Sequence, residues 1–253
     1  MSLAVIYLVH GNDLIEMFHN SVRSLRTAGF EGSVIAYTSN EDTDALEEIC
    51  KNTDVEMKRI SLDTASVPEN YHNIGSKEFA FVSWHKFQII KDALAEHELV
   101  IFSDCDIVYF RDPAAFITNA ARAYPMGGQS DCFDSFPQHI CTGFLFFRRE
   151  ESVTQLLDHC FNVAIQNMQN GKFIGHDQQV FNLIFKNNGR FYSSFCFLSE
   201  YYFPNGASYK NFSAEALDYS VSAGAPYLFH ANYVVGLENK KRLLQHVGGW
   251  VLE

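Results

Sequence analysis

The sequence is poor in several features that would place it in common functional classes. None of its six cysteines forms a Cys-x-x-Cys pair, which argues against a zinc knuckle. Cys50, Cys105, Cys132, Cys141, Cys160 and Cys196 are scattered, several of them in apolar segments. They read as small buried hydrophobes with reduced thiols, which points to an intracellular compartment. No apolar stretch approaches membrane-spanning length. The N-terminal run Leu3–Val9 is short and has neither a basic flank nor a cleavage site, unlike a secretory signal. A cytoplasmic protein, at most peripheral at a membrane and with no integral membrane segment, is the expectation. Basic charge is also scarce: 19 Lys and Arg stand against 30 Asp and Glu, a net charge of −11. Nucleic acid is therefore not an expected partner, because its phosphates would be repelled over most of the surface. Positive charge clusters only at Arg148-Arg149 and Lys240-Lys241-Arg242. There is no internal repeat, low-complexity tract or linker to divide the chain.

What is present is a core. Apolar residues make up 47% of the 253 positions and charged ones 19%, with 23 Phe. A chain of this length buries most of the surface its unfolded form exposes, so it folds without disulfides or a structural metal. Most of the Phe sit in apolar runs and read as core. Ala4–Val9 reads as a buried strand ending at His10-Gly11-Asn12. A helix follows, with Asp13 and Glu16 placed as in a capping box and Leu14, Phe18, Val22 and Leu25 on one face. Ser33–Thr38 and Val55–Ile60 read as strands around an acidic helix near Asp44–Cys50. Residues 61–76 are polar, with Pro68 and Gly75, and read as loop. Ala80, Trp84, Phe87, Ile90 and Leu94 then form a helical stripe, and Leu99–Ser103 suits a central strand buried on both faces. Further on, Cys141–Phe147, Phe191–Leu198 and Tyr227–His230 read as strands. Helices are expected near 153–168, from His176, and over Leu237–His246. The rhythm indicates an α/β fold with a Rossmann-like, mostly parallel central sheet flanked by helices. It is expected as one domain over 1–253.

Four stretches carry polar chemistry against this apolar background. Asp104-Cys105-Asp106 stands directly after the strand Leu99–Ser103 and before the apolar Ile107-Val108. Ligands of open α/β sheets bind beyond the carboxyl ends of strands. Two carboxylates with one spacer can hold a hard cation such as Mn²⁺ or Mg²⁺ and leave positions for phosphate oxygens. An acidic turn alone is common; two charges beside this much apolar chain call for a counterion. His230 ends another apolar run and is followed by Asn232, Gly236 and Lys240, a set suited to a third metal ligand and a diphosphate. His176-Asp177-Gln178 opens a helix, where an Asp is also favoured simply by the helix dipole. Gly143, within Cys141-Thr142-Gly143, marks a strand position approached closely by a ligand or another backbone.

Taken together and in order, FSDCDIVYFRDP, CTGFLFFR, HDQQVFN and HANYVVGLENK resemble the nucleotide-diphospho-sugar transferase family. That family has the GT-A fold, and the resemblance implies a nucleotide-binding half to about residue 110 and an acceptor and catalytic half beyond it. The likeness is nearer to the retaining glycosyltransferases of family 77 than to family 8, the glycogenin group. The resemblance implies that Asp104, Asp106 and His230 hold Mn²⁺ or Mg²⁺ on the donor diphosphate. It implies that Lys240 and the Gly236 turn bind the diphosphate, and that Val9, His10, Gly11 and Asn12 hold base and ribose, with Lys86 as a helper. Thr142, Asp177 and Gln178 would line the donor sugar and the anomeric carbon, and Gly143 and Asn232 are further expected substrate-binding residues. Two departures stand out. Cys141 replaces the Asn that often precedes Thr-Gly, and the spacing from His230 through Gly236 to Lys240 exceeds the compact His-x-x-Gly-x-x-Lys of family 8.

The expected activity is metal-dependent transfer of a sugar from a nucleotide-diphosphate donor, UDP by resemblance, to a glycan or other hydroxyl acceptor, with retention. Two other readings compete. A phosphatase of the haloacid dehalogenase type also carries Asp-x-Asp after an apolar strand, but nearer the chain start and with Thr or Gly closely following. A non-catalytic nucleotide-sugar or glycan-binding module on the same fold would bind UDP without turnover.

Overall fold

The computed structural model describes residues 1–62, 75–132, 138–207 and 226–252. Most of the 61–76 stretch read as loop lies outside the described residues, as does the thiol of Cys132.

The described chain runs β1 (Leu3–Val9), α1 (Ile15–Thr27), β2 (Ser33–Thr38), α2 (Asp44–Asn52), β3 (Glu56–Arg59), α3 (Lys77–Glu96), β4 (Leu99–Ser103) and β5 (Ile107–Tyr109). It continues with α4 (Ala114–Ala123), β6 (Met126–Cys132), β7 (His139–Arg148), α5 (Glu151–Gln169), α6 (Asp177–Lys186), α7 (Gly189–Ser193), β8 (Phe195–Leu198), β9 (Leu228–His230) and α8 (Leu237–His246). None of the described helices is long and apolar enough to cross a membrane.

Seven strands form one sheet in the order β3-β2-β1-β4-β7-β6-β8. β3, β2, β1 and β4 pair in parallel. β7 is antiparallel to both β4 and β6, and β8 is parallel to β6. Only β7 therefore opposes the common direction, and the sheet is mostly parallel, as the βαβ rhythm predicts. β5 leaves this sheet and pairs antiparallel with β9 in a separate ribbon.

Alternation of side chains sends successive strand residues into two cores. Val5, Tyr7, Ile101, Phe144 and Phe146 face α1, α4 and α8, whereas Ile6, Val100, Phe102, Leu145 and Phe147 face α3, α5 and α6. That two-sided burial explains why β4 and β7 read as near-continuous apolar runs instead of alternating ones. Each large apolar side chain so buried contributes about 1.5–3 kcal/mol relative to exposure. The stripe Ala80, Trp84, Phe87, Ile90 and Leu94 on α3 is buried throughout.

Two local expectations are corrected, and three elements go unread in the sequence. Asp13 and Glu16 do not stand as a capping box for α1: a short 3-10 turn, Asn12–Leu14, precedes it, and the N-cap position is Leu14, which makes no side-chain cap bond. Residues 191–193 are helical, so β8 starts only at Phe195. Sheet alternation at Phe191 loses to a helical turn whose N-cap, Asn188, accepts from the Arg190 N–H. β5, α4 and β6 escape the periodicity reading altogether, β5 being three residues long and β6 rich in Gly and polar side chains.

Candidate active site

Topology delivers the Asp-x-Asp turn and His230 to one place. β4 ends at Ser103, and the Asp104 N–H donates to the Gly143 carbonyl at 2.7 Å on the neighbouring β7. The turn is braced by the Tyr109 hydroxyl on Ser103 Oγ at 2.8 Å. β5 then pairs with β9 so that Ile107 faces His230, and the Ala231 N–H donates to the Asp106 carbonyl at 3.0 Å. His230 Nε2 thus lies 3.2 Å from Asp106 Oδ1 and 3.8 Å from Asp104 Oδ2.

These three residues each offer a ligand atom, all within 4.8 Å of one another. Two carboxylates and one imidazole form a donor set that suits a divalent cation of the Mg²⁺ or Mn²⁺ kind. Gly143 makes room for it. A Cβ there would stand 2.1 Å from His230 Cε1 and 2.7 Å from Asp104 Oδ2. The close approach expected at Gly143 is therefore that of the His230 and Asp104 side chains.

Two lysines balance the acids. Lys240, in the first turn of α8, pairs with Asp106 Oδ2. Lys86 extends from α3 with its ammonium 2.6 Å from Asp177 Oδ2 and 3.3 Å from Asp104 Oδ1. It also donates to the Thr142 carbonyl at 3.0 Å and lies 4.4 Å from the centre of the Phe102 ring. Burial alone would discharge Lys86, but Asp104 and Asp177 hold its pKa above the usual lysine value. Burial would raise Asp106, yet Lys240 and His230 outweigh it and hold its carboxyl well below the usual range. Asp177 is depressed in the same way by Lys86, against its own burial. Burial would lower His230, but Asp106 and the neighbouring Cys141 push it up to about 10. A cation entering the site would compete with that proton for Nε2.

The site opens into a cavity of about 540 Å³ whose lining includes Asp104, Asp106, Lys86, Asp177, His230 and Lys240. Thr142, Gly143, Gln178, Asn232 and His10 line it as well. Its apolar wall uses the face of α3 at Phe79 and Val82, together with Leu8, Leu14, Val235 and Leu237. Gln178 is clamped: its Nε2 donates to Asp131 Oδ2 at 2.9 Å and its Oε1 accepts from the Thr142 N–H at 3.3 Å. Asn232 accepts the Gly206 N–H at 2.7 Å.

The remaining expected residues lie around the cavity without lining it. Val9 points into the core, between the lining residues Leu8 and His10. The Gly11 N–H donates to Asn40 Oδ1 at 2.8 Å, and Asn40 in turn donates to Asn12 Oδ1 at 3.2 Å. Gly236 has φ +88° and turns the chain into α8, so that Val235, Leu237 and Lys240 reach the cavity. A side chain there would be strained.

Sequence reasoning passed over Asp131, Gln129 and Tyr233. Asp131, raised by burial, and Gln129 sit on β6, which carries no clear strand pattern. Tyr233 has φ +59°, an uncommon conformation for a bulky residue, and it donates from its hydroxyl to the Asp131 carbonyl at 3.1 Å. It is 46% exposed at the cavity mouth. Its position between Asn232 and Gly236 was the one available signal.

Comparison with known proteins agrees with this geometry. Residues 40–244 match the nucleotide-diphospho-sugar transferase family. Over 197 residues the chain is 23% identical to UDP-D-xylose:L-fucose alpha-1,3-D-xylosyltransferase of Arabidopsis thaliana, covering 72% of this chain and 52% of that protein. Over 198 residues it is 22% identical to UDP-galactose:fucoside alpha-3-galactosyltransferase of Dictyostelium discoideum, covering 73% of this chain and 30% of that one. The chain thus spans about half the length of one curated relative and under a third of the other. In fold it is similar to the galactosyltransferase LgtC, with TM-score 0.65 at 10% identity over 99% of this chain and 97% of that one. It is also similar to mouse xyloside xylosyltransferase 1, with TM-score 0.55 at 14% identity over 92% and 97% of the two chains. The fold is that of the GT-A glycosyltransferases. With most of its length matched, from just after the second strand into the last helix, the chain belongs to the nucleotide-diphospho-sugar transferase family.

Proposed function

We propose that this protein transfers a sugar, with retention, from a UDP-sugar to a hydroxyl of a glycan, using Mn²⁺ or Mg²⁺ held by Asp104, Asp106 and His230. The observation that carries the reading is the convergence of Asp104 Oδ2, Asp106 Oδ1 and His230 Nε2. These come from two segments more than a hundred residues apart, at the carboxyl end of a central strand. The metal, when bound, would stabilise the negative charge that develops on the departing nucleoside diphosphate.

The chain's own residues do the rest. Lys240 sits at the metal site and at the start of a helix, so its ammonium and the nearby N–H groups would hold the diphosphate. His10, just past β1, would face the nucleotide with Gly11 and Asn12 behind it, and the apolar wall of Leu8, Leu14 and Leu237 would exclude water from it. Asp177 and Gln178 lie beside the anomeric carbon. Asp177 is ionised and committed to Lys86, so its role is to present fixed negative charge toward an oxocarbenium-like sugar. The clamp from Asp131 and Thr142 holds Gln178 in one orientation. Thr142, Gly143 and Asn232 border the donor sugar, and Tyr233 the acceptor.

Both curated relatives are named for transfer to fucose or a fucoside, from UDP-xylose in one case and UDP-galactose in the other. These define the first substrates to offer. The test is to incubate the protein with each donor and a fucoside, with and without Mn²⁺, and to follow product and free UDP. Metal-dependent product, lost in Asp104→Ala and Asp106→Ala, is the expected result. Tight UDP binding with neither transfer nor donor hydrolysis would mean a binding module, and unchanged turnover in both variants would refute the metal site.

A further inference from the structure

An imidazole can ligate a metal through Nε2 only if its proton sits on Nδ1, and a hydrogen bond from the second nitrogen commonly secures this. At His230 the partner is Gln129. Gln129 Oε1 is 3.0 Å from His230 Nδ1, and the Gln129 side chain is fully buried. Amide oxygen and nitrogen can be exchanged in such a contact, but here the surroundings decide between them. The other end of the same amide meets two backbone carbonyls, Phe203 at 3.0 Å and Pro204 at 3.2 Å. Carbonyls only accept, so the NH₂ group must face them and Oε1 must face His230. An oxygen acceptor in turn requires the proton on Nδ1. The other group near Nδ1 is Cys141 Sγ, at 3.7 Å, which itself receives the Asn232 side-chain N–H at 3.5 Å.

The backbone is shaped for this contact. β6 and β7 pair regularly up to Gly128, and the register shifts between Gly128 and Ser130. Such irregularities re-aim side chains beside active sites. Residue 129 falls within the shift, and its side chain joins β6, the 203–204 segment and β9.

We propose that Gln129 is a positioning residue for the metal: it fixes His230 as the Nδ1–H tautomer and turns the Nε2 lone pair toward Asp104 and Asp106. The inference rests on the metal-site reading above and adds a residue which that reading does not contain.

The first test uses the unaltered protein. With ¹⁵N-labelled chain and diamagnetic Zn²⁺, two-bond ¹H–¹⁵N correlations of His230 report which ring nitrogen carries the proton. Protonated Nδ1 and metal-shifted Nε2 are expected; an unprotonated Nδ1 would overturn the proposal. The second test compares Mn²⁺ affinity in Gln129→Leu and Gln129→Glu, measured by electron paramagnetic resonance of free Mn²⁺. Both variants lose the NH₂ donation to the Phe203 and Pro204 carbonyls, so any shared loss of stability cancels between them. Only Gln129→Glu keeps an oxygen acceptor for Nδ1–H. Gln129→Leu should weaken Mn²⁺ binding by about 10- to 100-fold, with Gln129→Glu clearly tighter than Gln129→Leu. Equal affinity in the two variants would overturn the proposal. Failure of the unaltered protein to bind either ion would sink the metal site, and this inference with it.

Discussion

Lys86 and Asp177 form a buried ion pair, Nζ to Oδ2 at 2.6 Å, that ties the middle of α3 to the first residue of α6. The Asp177 N–H also donates to Ser83 Oγ at 3.1 Å, one turn earlier on α3. Lys86 continues to Asp104 at 3.3 Å, so one buried ammonium links the candidate metal ligand to the residue proposed beside the sugar. Replacing Asp177 with Ala leaves that ammonium short of a partner. Removing one member of a buried pair costs about 3–5 kcal/mol, and chemical denaturation of Asp177→Ala should show a loss of that order.

The same pair sets a pH dependence. The folded Asp177 carboxyl lies below its ordinary value of 3.8, burial being outweighed by Lys86. Its contribution to stability is fully present above the unfolded carboxylate range and is lost as pH falls toward the depressed folded value. Melting temperatures should therefore hold between about pH 5 and 7 and drop below about pH 4. In Asp177→Asn the acid-side drop should be shallower; an identical profile would show that Asp177 carries none of it.

Gly143→Ala places a methyl group 2.1 Å from His230 Cε1. Overpacking of this kind costs about 1–3 kcal/mol. Because the displaced groups are proposed metal ligands, Mn²⁺ titration should reveal a larger effect than thermal melting does.

Lys240→Met should weaken UDP binding by about 10- to 100-fold, the equivalent of one hydrogen bond to a charged group. Calorimetric titration of UDP in the presence of Mn²⁺ checks this. The loss should shrink for uridine, which has no diphosphate.

Tyr233→Ala removes the exposed ring at the cavity mouth together with its hydroxyl bond to the Asp131 carbonyl. The expected signature is a raised acceptor KM with donor hydrolysis little changed. An effect on donor KM alone would place Tyr233 on the nucleotide side instead.

Much of this site was legible before any coordinates. The Asp104–Asp106 turn is visible because a five-residue strand, apolar up to Phe102, ends directly at it. His230 and Lys240 are visible because a short apolar run, a Gly and a helical pattern follow in order. Gln129 and Asp131 were not legible, since Met126–Cys132 has neither the alternation nor the apolar density of a strand. Lys86 was visible only as a possible helper. That its charge is met by Asp177, Asp104 and the Thr142 carbonyl is a fact of tertiary structure.

The division has a physical basis. Which segments form helices and strands, and which acids stand at a strand end, follows from local patterns of burial and turn chemistry that the sequence alone carries. Which side chains meet across the fold depends on the strand order, on the single reversed strand β7 and on the register shift in β6. Those decide that His230 faces Ile107 and Gln129, and that Gly143 lies against His230 and Asp104. Such contacts join residues about a hundred positions apart, and no local pattern encodes them, because they come into being only when the sheet is assembled.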